Sequence, residues 1–66
     1  MTWIPCSERL PPNTDLVIVS TIAFDSIPYV HEGMWDGEEW GTPEMGAFDR
    51  SLRVIAWQPF PEPYQP

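Results

Sequence analysis

The longest apolar run in the chain is Leu16-Val17-Ile18-Val19-Ser20-Thr21-Ile22-Ala23, whose β-branched residues predict a strand. Both of its alternating faces are apolar: Leu16, Ile18, Ser20 and Ile22 on one, Val17, Val19, Thr21 and Ala23 on the other. Such a strand is expected to be central and covered above and below. Asp25-Ser26-Ile27-Pro28 reads as a turn into a second strand over 29–35. Asp36-Gly37 then predicts a two-residue type I′ hairpin, with 38–40 as the return strand. In that register Trp35 pairs with Glu38, Met34 with Glu39, and Gly33 faces Trp40. Trp35 and Trp40 then lie diagonally on one face, an indole covering the glycine. Thr42-Pro43-Glu44 has the order of an N-cap, an N1 proline and an acidic first turn, so a short helix is expected there. Gly46 argues instead for an irregular loop reaching Ser51. Residues 52–58 form another strand-like run.

The ends are extended. Pro5 steers Ile4 away from helical angles, Ser7 can cap a single turn over 7–10, and Pro11-Pro12 stops it. Asn13-Thr14-Asp15 is turn chemistry, and the alternating prolines of 59–66 predict a polyproline-like tail. The expected fold is therefore one domain over 1–66, mainly β (all-β or a small α+β). It would be a three- to four-stranded antiparallel sheet with extended Pro-rich termini and at most one short helix.

Composition narrows how so short a chain is stabilised. With 66 residues the core is small, and a single cysteine, Cys6, excludes an internal disulfide. Cys6 and His31 together fall short of the four ligands of a structural metal, no calcium-loop spacing occurs, and no cofactor is expected. Four tryptophans, two tyrosines and three phenylalanines supply the apolar area, and nine prolines narrow the unfolded ensemble. No apolar run is long enough for a membrane span and no signal-peptide pattern is present, so a reducing cytoplasm is expected.

Charge bounds the partner. Between Leu10 and Asp49 stand Asp15, Asp25, Glu32, Asp36, Glu38, Glu39, Glu44 and Asp49, with no lysine or arginine. The chain carries ten acids against three arginines, a net charge of -7. Such a body repels nucleic acid and anionic membranes and is drawn to basic surfaces.

Trp3-Ile4-Pro5-Cys6-Ser7-Glu8-Arg9-Leu10-Pro11 at one end and Trp57-Gln58-Pro59-Phe60-Pro61-Glu62-Pro63 at the other resemble a small domain family of unknown function found in phages and prophages. Its members open on W-I-x-x-S-x-R-L-P and close on W-x-P-L-P-x-P; Phe60 stands where leucine is usual. The resemblance covers the two ends only. It implies a phage-encoded accessory protein of the host cytoplasm, and it implies no site residues.

Each chemical reading has a plainer alternative. A row of acids on a strand, alternate residues about 6.7 Å apart, can imitate nucleic-acid phosphates; equally, it can be a solvated face that confers solubility. Tyr29, His31, Trp35 and Trp40 can line an aromatic pocket or simply form core, and core is the stronger reading. Cys6 and His31 lack any motif of a nucleophile and its base, and paired acids such as Glu38 and Glu39 lack a cleft, so no enzyme is expected. The tail can dock on a partner or fold back, with Phe60 and Tyr64 over Trp3.

The function expected is therefore that of a small acidic protein that binds and inhibits a host protein through a nucleic-acid-mimicking surface. A defence or nucleic-acid-processing complex is the natural target. Glu32, Asp36, Glu38, Glu39, Glu44 and Asp49 would be the interacting acids, with Trp35 or Trp40 as anchor. The alternatives are an oligomer that sequesters a signalling nucleotide through Arg9, Arg50 and Arg53, and a structural accessory protein.

Overall fold

The β-branched run is central: strand β2 (Val17–Ile22) lies between β3 (Pro28–Trp35) and β6 (Arg53–Pro59), antiparallel to both. In the computed structural model, which describes residues 2–23, 27–44, 46–49 and 51–65, three further short strands complete one six-stranded antiparallel sheet. They are β1 (Ile4–Pro5), β4 (Trp40–Thr42) and β5 (Gly46–Ala47), and the order across the sheet is β1-β6-β2-β3-β4-β5. The expected β class holds, with more strands than the three or four anticipated. The turn expected at Asp25-Ser26 lies outside the described residues.

The faces of β2 are not equally covered. Val17, Val19 and Thr21 are buried, whereas Ile18, Ser20 and Ile22 are only half-buried. The expectation of cover on both sides is thus corrected: a chain this short makes a single sheet, and what covers it packs on one face. Registry puts Ile4, Val19, His31, Trp57 and Val54 on that face, and Trp40, Phe48 and Cys6 pack there too. A bulge between Ser20 and Thr21 leaves Ile55 as the extra residue of β6, and the Ile55 carbonyl accepts the Cys6 N–H.

The chain between β1 and β2 turns over Trp57. The Pro5 carbonyl accepts from Glu8 and Arg9, Pro11 is buried, and the Trp57 Nε1–H donates to the Arg9 carbonyl at 3.0 Å. The Arg9 guanidinium sits 5.9 Å from the indole centre. As expected of turn chemistry, the Asn13 side chain accepts the Asp15 N–H. The two ends of the chain meet, but through the β1–β6 ladder rather than the tail: Ile4 pairs with Trp57, whereas Tyr64 is 89% exposed.

Two expected elements are corrected. No helix begins at Thr42; that residue pairs with Gly46 in a tight β4–β5 hairpin. Gly46 has φ 72°, which suits the left-handed position closing a short hairpin loop. A Cβ built on Gly41 would collide with the Gly46 carbonyl oxygen, so the close strand approach requires glycine. The return strand also starts later than expected. Trp35 pairs with Trp40 and Met34 with Gly41, and Gly33 is covered by Val19 and the Phe48 ring rather than by an indole.

Thr21 is fully buried, and its Oγ1 has no hydrogen-bond partner among the described residues. Leaving a buried hydroxyl unpaired costs about 1–3 kcal/mol. Thr21→Val keeps the shape and removes the polar atom, so thermal unfolding should shift upward by several degrees. An unchanged or lowered midpoint would mean the hydroxyl is satisfied in solution.

Candidate functional site

The loop between β3 and β4 is built by one aspartate. The Asp36 N–H donates to the Glu39 carbonyl at 3.2 Å, and its Oδ1 accepts from the N–H groups of Glu38 at 2.8 Å and Glu39 at 2.7 Å. Gly37 takes φ 101°, a region that glycine enters without strain. The Asp36 side chain therefore widens the turn from two residues to four, which is why the pairing moves to Trp35–Trp40. Asp36, Glu38 and Glu39 are brought together at this tip, all exposed.

These hydrogen bonds, from Glu39 first and then Glu38, hold the Asp36 carboxyl below the usual 3.8. Because the folded value is the lower one, its contribution to the loop is present above the ordinary aspartate range and lost as pH falls through the folded value. The amide resonances of Glu38 and Glu39 should accordingly titrate together, with a midpoint below 3.8. Asp36→Asn, which retains the acceptor oxygen, should abolish that titration and leave the loop intact. Titration of the two amides at different midpoints would contradict a shared Asp36 cap.

The other expected acids are exposed but dispersed. Glu32 stands on β3, Glu44 in the β4–β5 turn, and Asp49 after β5. Asp49 accepts the Ser51 N–H at 2.8 Å; that bond, together with one from the Ser51 side chain, lowers its pKa. All six lie in β3–β5 or the residues joined to them. No strand carries them as an evenly spaced row, since Glu38 and Glu39 fall in the loop. The described arginines lie elsewhere: Arg9 over Trp57, and Arg53 at the start of β6, opposite Ile22. They do not converge. Arg50 lies outside the described residues, as does Asp25.

Trp35 and Trp40 face one another directly, not diagonally, with ring centres 5.5 Å apart and planes tilted by 54°. Both are half-buried, and Trp40 also packs on the core, so the pair clamps the acidic loop. Tyr29 and His31 share their face by registry, but the His31 ring meets Phe48, 6.5 Å away at 51°, a contact the sequence did not signal. Cys6 and His31 are separated by β6 and β2, about 14 Å at ordinary strand spacing, too far for a nucleophile and its base. Burial raises the Cys6 thiol pKa, which keeps it protonated.

A concavity of about 630 Å³ lies between Arg9–Leu16 and Trp57–Phe60, with Leu10, Leu16, Trp57 and Phe60 among its walls. Among the described residues no three His, Cys, Asp or Glu side chains come together as metal ligands, and no helix is long and apolar enough to cross a membrane.

Fold and loop thus define a small, one-sheet β protein that presents an acidic hairpin. Residues 2–65 match the family described as "Protein of unknown function (DUF551)", and the chain belongs to that family. No curated protein and no solved structure matches it.

Proposed function

We propose that this is a small acidic binding protein of phage origin that acts in the host cytoplasm, covering a basic, nucleic-acid-binding surface of a host protein and inhibiting it. A defence or nucleic-acid-processing complex is the favoured target. One observation carries the reading: the Asp36 carboxylate is committed to the loop and thereby presents Glu38 and Glu39 in a hydrogen-bonded, exposed turn. Solubility alone asks only for scattered charge; a preorganised acidic tip loses little entropy when a basic groove closes on it. The likeness to phosphates is one of charge density rather than of regular spacing. Phage origin rests on the end motifs quoted above.

A second reading is favoured by the cleft beside Arg9, whose volume is in the range of small-molecule sites. It would hold a planar or apolar ligand against Trp57 and Phe60. One experiment separates the two. The tagged protein is incubated with host lysate at low salt and eluted with a salt gradient. A single basic or nucleic-acid-binding protein released by salt supports the inhibitor reading. A retained small molecule, with no protein, supports the second.

A further inference from the structure

Strand β3 has eight residues, yet on its outer side β4 covers only Met34 and Trp35. From Pro28 to Gly33 it is paired, among the described residues, on the β2 side alone. Pro28, Tyr29, Val30, His31 and Glu32 are all exposed, Val30 by 66%. Two hydrogen bonds at opposite ends of the sheet fix which backbone groups are open. The Asp36 N–H points across to Glu39, so Met34, Glu32 and Val30, at alternate positions, turn their amides to the same outer side. From the other end, the Ile55 carbonyl faces Cys6, so Ala56 and Gln58 face β2. Val17, Val19 and Thr21 must then face β3, where Gly33, His31 and Tyr29 meet them. Both routes leave the N–H and C=O of Val30 and Glu32, with the Pro28 carbonyl, directed at solvent along about 13 Å of edge.

Open edges are normally blunted by lysine, proline, a bulge or a covering loop. This chain has no lysine in residues 27–33, Pro28 stands only at the start of the strand, and the bulge lies in the β2–β6 ladder. Tyr29 and Val30 are strong strand formers.

We infer that this edge receives an extended basic segment of a partner protein as an added antiparallel or parallel strand, laid end to end with β4. The choice of a basic occupant rests on the reading of the acidic tip given above. Glu32 lies within the edge, and Glu44 sits in the turn after Thr42, where the added strand would abut. A second copy would bring its own Glu32 and a net charge of -7 against like charge. Alternate side chains of the guest would meet Val30 and Glu32 on one face, Tyr29 and His31 on the other.

The probe is a synthetic octapeptide of alternating arginine and valine, with a backbone N-methylated version as control, followed by amide NMR on the full chain. The amides of Val30 and Glu32 should shift and become protected from exchange, while those of Tyr29 and His31 change little. Val30→Pro removes an N–H that serves no internal ladder, and proline is tolerated at such edge positions. It should keep the fold and weaken the peptide at least tenfold; N-methylation should do the same. Equal binding to the proline variant, with the two amides unmoved in the natural protein, overturns strand addition. So does failure of the peptide to bind at all. If that surviving binding disappears in Glu38→Lys/Glu39→Lys, the charge reading stands without the edge. Loss in Val30→Pro but not in the double lysine variant keeps the edge and removes the charge reading. Val30 and Glu32 amides that become protected with protein concentration alone would assign the edge to a second copy and overturn the basic occupant.

Discussion

Trp57→Ala should leave no cooperatively folded protein at 25 °C. Trp57 is 5% exposed and, among the described residues, is the one large side chain in a buried core completed by Val17 and Val19. Truncating a buried tryptophan costs about 3–5 kcal/mol, and a domain of this size has roughly 3–10 kcal/mol in total. The loss is compounded locally. The indole N–H satisfies the Arg9 carbonyl, and its ring supports the Arg9 guanidinium and the 9–12 segment that covers this face. Urea unfolding followed by near-ultraviolet circular dichroism is the measurement. Trp57→Phe should unfold at an intermediate urea concentration, since it retains most of the area but not the donor. A cooperative transition in the alanine variant close to that of the natural protein would show that the core is not centred on this residue.

Glu38→Lys/Glu39→Lys should abolish binding to the host partner at low ionic strength, weakening it at least a hundredfold. The geometry selects this pair over any pair that includes Asp36, because both side chains are exposed and the loop is held by their backbone N–H groups. Thermal stability should therefore stay within about 0.5 kcal/mol of the original. Against a basic surface, reversal replaces attraction with like-charge repulsion, which slows encounter and flattens the salt dependence. Surface plasmon resonance with the partner recovered from lysate gives both quantities. Unchanged affinity would leave the acids as solubilising charge only.

The strands that carry most of the sheet were legible because their signal is local: β-branched residues in 17–22, strand-formers before Asp36-Gly37, and the apolar run ending at Trp57. What was not legible depends on a side chain acting at a distance from its own φ and ψ. Asp36-Gly37 alone favours a two-residue turn, but the Asp36 carboxylate captures two N–H groups, and the indole pair then sets the register. Thr42-Pro43-Glu44 satisfies the rules for a helix start; the backbone contact of Gly41 with Gly46 overrides it. Phe48 gave no signal, since its role depends on the crossing from β5 to β6. The open edge could have been found, because Pro43 limits the partner strand to a length that cannot match residues 28–35. At the candidate site the sequence shows where the acids stand, but not that one of them organises the backbone of two others.

The place of β6 has a consequence for biosynthesis. β2, β3 and β4 each pair with the strand that follows in the chain, so these three ladders can form without β6. β6 is made last and inserts between β1 and β2, bringing Trp57 with it. Until then β1 has no neighbour, and the Val17–Val19 face of the nascent meander is bare. Closing ladders between residues 4–5 and 56–57 is a non-local step of the kind that takes milliseconds to seconds. Within these residues the sheet is therefore closed in a single late step, by the strand that also supplies the centre of its core.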